Sequence, residues 1–235
     1  MKPIAIFDID GTIFRSSLTI ELLKRLVADG IFAPEVMRKI RRSEEKWLNR
    51  KGHYDDYIYD VWRAYQKAIV GKKKSQIIAA CQKVIGEQKY RTYRYTRKLL
   101  FDIRKHYHTI GISGSPLEVV KEYNKFLRLD KLYGWEFGLD EKGRYTNVVL
   151  HAPTQYKKEL IVRYVQNHNL SLKGSIGVGD TESDIGFLEI VEHPIAFNPN
   201  SVLAHIARRK NWTVVIERKD LVTQFKMKKV KILNI

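Results

Sequence analysis

The 235-residue chain is long enough to bury a sizeable core, and it is strongly basic: 43 Lys+Arg against 26 Asp+Glu, a formal net charge of +17. No apolar run approaches the ~18 residues of a membrane span, and the first predicted strand begins by Ile4, so we expect no signal peptide and a cytoplasmic location. The single Cys81 excludes an internal disulfide. The charge favours anionic partners, and the sequence leaves the oligomeric state open.

The N-terminal segment carries the most informative pattern. Residues 4–7 are apolar and β-branched, which predicts a buried strand, and Asp8 and Asp10 follow before Gly11 and Thr12. Two carboxylates at the end of a buried strand are unfavourable unless they bind a cation or react. If the strand continues, both side chains share one face, and ligands bind at this end of open α/β sheets. We predict a metal-assisted reaction centre here; the alternative is a plain polar turn.

Residues 17–106 predict helices almost throughout, because apolar residues recur at a 3.6-residue spacing. Ser16 or Ser17 is placed to cap the first helix. Segment 89–98 alternates basic residues with aromatic ones; we favour a helix that packs its tyrosines over a nucleic-acid-binding surface. The basic tail at 226–235 is either a flexible end or a contact for an anionic membrane.

From residue 109 onward, strands and helices alternate. Residues 109–116 form a second predicted strand, and Ser115 with Pro116 and Glu118 has the pattern of a helix start, with Ser115 as its cap. This alternation predicts an α/β fold with a mostly parallel sheet flanked by helices. The remaining predicted elements are a hairpin at 135–139 and 145–150, helices near 156–167 and 202–209, and strands at 175–179, 194–197 and 213–216.

Polar residues follow these strands in a fixed order: Asp8 and Asp10, then Ser113, Lys157, and finally Asp180 with Asp184. This ordered set resembles the four motifs of the haloacid dehalogenase (HAD) superfamily, and the chain looks closest to its phosphoserine-phosphatase-like branch. The resemblance spans residues 4 to about 220. It implies a Rossmann-like catalytic core over 1–14 and 96–235, with an all-helical cap over 15–95 inserted after the first strand.

The predicted chemistry is phosphoryl transfer through two carboxylates. Asp8 suits the nucleophile, because a carboxylate can form an acyl-phosphate and divide one difficult step into two. Asp10 is the candidate acid/base that protonates the leaving alkoxide and then deprotonates water. Lys157 pairs with the phosphoryl oxygens and Asp8; its neighbour Lys158 is a rival, and the resemblance favours Lys157 because the family Lys precedes the helical Glu159 by two residues.

The phosphate and metal contacts complete this predicted site. The Ser113 hydroxyl and the Gly114 amide lie between a strand end and a helix start, where they offer hydrogen bonds to a phosphate, and Gly11 lets Thr12 approach the site. Mg²⁺ prefers oxygen ligands, and we assign Asp8 and Asp180 to it. The resemblance adds the backbone carbonyl of Asp10. Asp184 either supports the metal site or caps the turn after Thr181, and the two roles are compatible.

The sequence therefore predicts a Mg²⁺-dependent phosphomonoesterase that hydrolyses a small phosphorylated metabolite through a phospho-aspartate on Asp8. The alternatives are a phosphotransferase or a phosphoserine phosphatase of the same fold, and a basic nucleic-acid-binding protein without turnover. Phosphoserine-specific relatives hold their substrate with a Glu and an Arg; those positions fall on Ser17 and near Val61, so we expect phosphoserine not to be preferred. Candidate specificity residues in the cap are Arg15, which is placed to contact a second anionic group, and His53, Tyr54 and Tyr57.

Overall fold

The protein is described by a computed structural model that covers residues 1–226. Within this range the strands are β1 (Pro3–Asp8), β2 (His108–Pro116), β3 (Lys131–Leu139), β4 (Tyr145–His151), β5 (Ser171–Gly179), β6 (His193–Phe197), β7 (Thr213–Arg218) and β8 (Leu221–Lys226). The helices are α1 (Leu18–Ala28), α2 (Glu35–Leu48), α3 (Tyr54–Ile69), α4 (Lys74–Gln88), α5 (Arg94–Ile103), α6 (Leu117–Leu127), α7 (Lys157–Asn167), α8 (Ile185–Leu188) and α9 (Ser201–Arg209).

The strands form one sheet in the order β4-β3-β2-β1-β5-β6-β7-β8. The six inner strands are parallel, and the two edge strands, β4 and β8, run antiparallel to their neighbours. β1 lies at the centre between β2 and β5, and its residues from Ile4 onward are buried, which explains why it reads as a continuous apolar run. The predicted α/β class with a mostly parallel sheet is confirmed.

Helices α1 to α4 and then α5 fill the connection between β1 and β2, as the helical periodicity predicts. They do not form a separate core. One hydrophobic cluster joins Phe7 and Ile9 of the sheet end to Leu22, Tyr65 and Ile77 of the insert. The insert is therefore packed on the sheet domain through shared apolar contacts, and the boundaries at 15 and 95 remain a prediction.

Two local predictions near the site are wrong. β1 ends at Asp8 and does not continue to Asp10, so the two side chains do not share a strand face. β2 continues through Pro116 and α6 begins at Leu117, so Ser115 is not its cap. The Ser115 hydroxyl is already used by long-range partners: it accepts from the backbone N–H of Thr19 (3.0 Å) and donates to Asp10 (2.9 Å).

The other predicted elements appear close to their expected places. The β3–β4 hairpin turns at Gly143, whose φ of +68° suits glycine. In segment 89–98 the helix begins only at Arg94, and the rings of Tyr93 and Tyr95 pack on Phe197 at 4.9 and 6.1 Å. The basic tail lies almost wholly outside the described residues. No helix in the described part of the chain is long and apolar enough to cross a membrane.

Candidate active site

Three neighbouring strands bring the predicted acidic and polar residues to one edge of the sheet. β1 ends at Asp8, β2 carries Ser113 near its end, and Asp180 directly follows the last residue of β5. Because β2, β1 and β5 are adjacent and parallel, their carboxyl ends open at the same edge. Residues that are far apart in the sequence therefore surround a single point.

Lys157 connects two of the carboxylates. It is the first residue of α7, only 3% of its surface is exposed, and its Nζ donates to Asp8 Oδ1 at 2.8 Å and to Asp184 Oδ1 at 2.5 Å. Burial lowers the pKa of Lys157, but the carboxylates of Asp184 and Asp8 outweigh burial and raise it above its usual value. Lys158 is exposed. The structure thus brings Lys157, and not its neighbour, to the centre.

Asp184 shapes the loop after β5. Its Oδ2 accepts hydrogen bonds from the backbone N–H groups of Asp180 (2.9 Å) and Thr181 (3.0 Å), and its other oxygen accepts from Lys157. The capping role is therefore confirmed. Because both oxygens already accept hydrogen bonds from the protein, the geometry favours a supporting role for Asp184 over direct coordination of a metal.

A divalent cation fits the group of acids formed by Asp8, Asp180 and Asp184, with Asp8 and Asp180 as its direct ligands. One oxygen from each of Asp8, Asp180 and Asp184 lies within 4.8 Å of the other two. Asp8 Oδ2 and Asp180 Oδ2 accept no hydrogen bond from the described residues. Burial raises the pKa of Asp8 and of Asp180 well above the usual value, and nearby carboxylates raise both further. A group of buried carboxylates, in which Asp180 Oδ2 has no other partner among the described residues, is what a hard cation such as Mg²⁺ requires; Asp8 Oδ2 then stays available for reaction.

Two glycines allow the loops to approach these acids closely. Gly11 has a φ of +82°, and a Cβ there would lie 2.2 Å from Asp180 Oδ2. A Cβ on Gly179 would lie 2.5 Å from the side chain of Asp184. Thr12 is fully buried, and its hydroxyl donates to Asp180 Oδ1 at 3.0 Å. Thr12 therefore orients Asp180, and a contact between Thr12 and substrate remains a prediction.

Asp10 is held by three hydrogen bonds. Its Oδ2 accepts from the Ser113 hydroxyl (2.5 Å), and its Oδ1 accepts from the Ser115 hydroxyl (2.9 Å) and from the Leu18 backbone N–H at the start of α1 (2.6 Å). Burial raises the pKa of Asp10, and these bonds only partly offset burial. Ser17 stands at the cap position of α1 without capping it, because Asp10 serves that N–H. The Ser113 hydroxyl thus donates a hydrogen bond to Asp10, whereas Gly114 lines the cavity.

The candidate reacting groups line a cavity of about 390 Å³. Asp8, Asp10, Lys157 and Asp180 line its polar end. A mainly apolar part of its lining comes from α3 and β3, with Tyr54, Ile58, Tyr59, Val61, Trp62 and Trp135. We call these two parts the carboxylate end and the aromatic wall. The indoles of Trp62 and Trp135 pack with their ring centres 4.7 Å apart.

The predicted cap residues have different positions. Tyr54 lines the cavity; burial raises its pKa, and nearby Asp10 and Asp180 raise it further, so its hydroxyl stays a hydrogen-bond donor. The other three lie outside the cavity lining. The exposed Arg15 guanidinium packs over a tyrosine ring, Tyr57 donates to a glutamate on α2 at 3.1 Å, and His53 borders a separate depression.

Sequence analysis did not find the aromatic wall. Trp62 appears in the sequence only as one member of an apolar helical stripe, and Trp135 only as the start of a predicted strand. Asp55 and Glu182, which stand at the rim of the cavity, carry no motif. The periodicity of α3 does indicate that Trp62 faces inward, but it does not indicate what the residue faces.

Comparison with known proteins finds a matching family profile, a related sequence and similar folds. The sequence profile of the haloacid dehalogenase-like hydrolases matches residues 5–189. The "Inhibition of morphological differentiation protein" of Streptomyces azureus is 22% identical over 226 residues, which cover 91% of this chain and 78% of that protein.

Two solved structures show the same architecture. A Bordetella pertussis Tohama I protein of unknown function superposes with a TM-score of 0.73 at 16% identity, over 91% of this chain and 98% of its own. A substrate-bound phosphoserine phosphatase gives a TM-score of 0.59 at 16% identity, over 87% of this chain and 90% of its own. At these identities the two structures show the fold alone.

Proposed function

We propose, from the premise that the chain belongs to the haloacid dehalogenase-like hydrolases, that it is a Mg²⁺-dependent phosphomonoesterase for a small phosphorylated metabolite. The observation that carries the proposal is the position of Asp8 at the carboxylate end. One of its oxygens is fixed by Lys157 at 2.8 Å, while the other is free among the described residues and lines the cavity. That arrangement presents an oriented carboxylate oxygen to a phosphorus atom.

The first half-reaction transfers the phosphoryl group to Asp8. Its free carboxylate oxygen forms the new bond to phosphorus, and the bond from phosphorus to the ester oxygen breaks. The Lys157 ammonium, beside Asp8, stabilises the negative charge on the transferring group. Mg²⁺, held by Asp8, Asp180 and the Asp10 carbonyl, would neutralise phosphate charge that otherwise repels the nucleophile.

Asp10 handles the protons in both half-reactions. Burial raises the pKa of Asp10, and a raised pKa suits its carboxyl group to donate a proton to the leaving alkoxide. The resulting carboxylate then takes a proton from the water that attacks the phospho-aspartate, and the bond between Asp8 and phosphorus breaks. The hydrogen bonds from Ser113, Ser115 and the Leu18 N–H hold the Asp10 carboxyl group in one orientation during this cycle.

Phosphate release from an aryl phosphate tests this proposal. Purified protein should release phosphate when Mg²⁺ is present and stop when a chelator is added, and Asp8→Asn should be inactive under both conditions. A matched control is Asp102→Asn, which removes an exposed carboxylate on α5. Turnover by Asp8→Asn close to that of the control would show that Asp8 is not the nucleophile.

We also propose that phosphoserine is not the preferred substrate. The Glu and Arg positions of the phosphoserine-specific enzymes fall on Ser17 and near Val61, and both of these residues line the cavity and are buried. A buried valine leaves a substrate carboxylate without a partner, and an unpaired charge in an enclosed site weakens binding. Steady-state kinetics across a panel of phosphomonoesters should therefore place at least one ester above phosphoserine in kcat/KM. A maximum at phosphoserine would contradict this expectation.

A further inference from the structure

The lining of the cavity is rich in negative charge. Among the described lining residues Lys157 has the only positive side chain, and that ammonium is already shared by two carboxylates. Five carboxylic acids line the same cavity, namely Asp8, Asp10, Asp55, Asp180 and Glu182. Asp8 and Asp180 are assigned to the metal and Asp10 to proton transfer, so Asp55 and Glu182 are the lining acids that remain when metal and phosphate are bound. The part of the substrate beyond the phosphate therefore meets a negative potential.

The aromatic wall shares the cavity with two further acids, Asp55 and Glu182, which we call the acidic rim. The indoles of Trp62 and Trp135 adjoin. Asp55, Tyr59 and Trp62 follow one another on α3 at spacings of four and three residues, which place them along one face of the helix, and all three line the cavity. An aromatic face attracts a cation through its ring quadrupole, and substituted ammonium groups are well suited because they are weakly hydrated and also bury apolar surface. A nearby carboxylate adds attraction of the same sign.

From this arrangement, and on the basis of the proposed phosphatase activity, we propose that the alcohol portion of the substrate carries a substituted ammonium group and no anionic group. The phosphate occupies the carboxylate end, and the ammonium group lies against the aromatic wall with Asp55 and Glu182 at the rim. The substrate class is thus the phosphomonoesters of small amino alcohols. A carboxylate or a second phosphate in that place meets acids and tryptophans and finds no free cation in the described lining.

A set of esters matched in size tests the proposal directly. The set comprises phosphoethanolamine, its N-trimethyl derivative, the neutral isostere 3,3-dimethylbutyl phosphate, and the anionic phosphoglycolate. We expect kcat/KM to be highest for the trimethylated ester and about tenfold lower for the neutral isostere. Equal values for the charged and neutral isosteres would overturn the proposal while leaving phosphatase activity established. A preference for phosphoglycolate would also overturn it, and would point to the neighbouring depression that holds Lys39, Arg42 and Lys46.

A pair of neighbouring substitutions assigns the effect to the rim. Asp55 and Asp56 both lie in the first turn of α3, so both interact with the helix dipole, but only Asp55 lines this cavity. Asp55→Asn should lower the ratio of kcat/KM for the trimethylated ester over the neutral isostere by about fivefold, the size of a partly exposed charge interaction. Asp56→Asn should leave the ratio unchanged. A similar change in both variants would contradict a specific contact at Asp55.

A binding measurement keeps this inference separate from catalysis. Tetramethylammonium chloride should change the intrinsic tryptophan fluorescence in a saturable manner, compared with sodium chloride at equal ionic strength. Trp62→Phe should remove most of that change because Trp62 forms the wall. No saturable change in the wild-type protein would count against the ammonium site. A saturable change in a protein that releases phosphate from none of the esters would defeat the proposed function but not the cation site.

Discussion

The carboxylate end and the aromatic wall of the cavity are built in different ways. The carboxylate end consists of charged side chains at or near the ends of strands and at the start of α7. Hydrogen bonds within 3.0 Å fix them, as Lys157 and Asp10 show. The aromatic wall consists of large rings from α3 and β3 that are held by packing. Hydrogen bonds fix atoms to within a fraction of an ångström, whereas packing fixes mainly shape.

This difference separates chemistry from selection. Atoms that form and break bonds need the precise placement found at the carboxylate end, so substitutions there should affect every substrate alike. In the proposed binding mode the aromatic wall contacts only the leaving group, so substitutions there should change the ranking of substrates. A variant of the wall that slowed all substrates equally would break this comparison.

The largest effect is expected for Lys157→Ala. Removing the ammonium leaves Asp8 and Asp184 buried without their shared cation, which should destabilise the fold by about 3–5 kcal/mol and lower kcat for every substrate by about a thousandfold. Chemical denaturation and steady-state kinetics measure the two effects. Lys158→Ala, at the exposed neighbouring position, is the matched control and should change neither. A functional Lys157→Ala protein would show that charge at this point is dispensable.

Asp10→Asn should impair catalysis in a different way from Asp8→Asn. The amide cannot accept a proton from water, so a phospho-aspartate formed from an activated aryl phosphate should accumulate, with turnover reduced about a hundredfold or more. Rapid-quench labelling or intact-protein mass detects the trapped species. If Asp8→Asn and Asp10→Asn both lost activity without any trapped intermediate, Asp10 would be left with only its role as the cap of α1.

A substitution in the aromatic wall should change the ranking of substrates and leave the chemistry intact. Trp62→Ala opens the wall while the hydrogen bonds at the carboxylate end stay in place. We expect kcat/KM to fall about tenfold for the preferred ester and by much less for a small ester that does not reach the wall. Tyr90→Ala, which removes an exposed ring outside the cavity, should have no such effect. A uniform loss across the panel would mean that Trp62 supports the chemistry itself.

The same difference explains what could be predicted from the sequence. Asp8 and Asp180 lie at strand ends, and each strand is marked by an apolar run followed by polar residues, so this pattern predicts both as site residues. Lys157 begins a helix, and only the family resemblance favours it over Lys158. The sequence does not predict the roles of Ser115 and Thr12, since a hydroxyl next to a helix start or a turn predicts a local bond. Here the Ser115 hydroxyl donates to Asp10 and the Thr12 hydroxyl donates to Asp180, and in each pair the two residues are distant in the sequence.

Features held together by packing are harder to predict. Trp62 and Trp135 come from different elements, and only the fold brings their rings together. The sequence pattern does not predict β8 either. The turn before it places Lys219 in the left-handed region, with φ at +56°, so the usual glycine or asparagine signal of a hairpin is absent, and the strand itself is exposed at the sheet edge.

The smallest expected effect concerns metal binding and pH. Burial raises the pKa values of Asp8 and Asp180, so the metal-free folded protein holds protons that the unfolded chain has released. In the metal-free state these carboxyl groups therefore contribute to the free energy of unfolding. The contribution is fully present below their unfolded pKa and is lost as pH rises through the raised folded pKa values. Mg²⁺ displaces the same protons, so its stabilising effect should grow over that range of rising pH.

Thermal unfolding with and without Mg²⁺ at pH 6 and pH 8 measures this growth. Each tenfold gain in affinity corresponds to about 1.4 kcal/mol, or about 4 °C in the Tm of a chain of this size, so we expect a shift of a few degrees that is larger at pH 8. Trp62→Phe should keep the pH dependence because the aromatic wall holds no proton that Mg²⁺ displaces, whereas Asp180→Asn should lose it. A Mg²⁺ shift that is equal at pH 6 and pH 8 would mean that the buried acids are already ionised without metal, and would contradict this prediction.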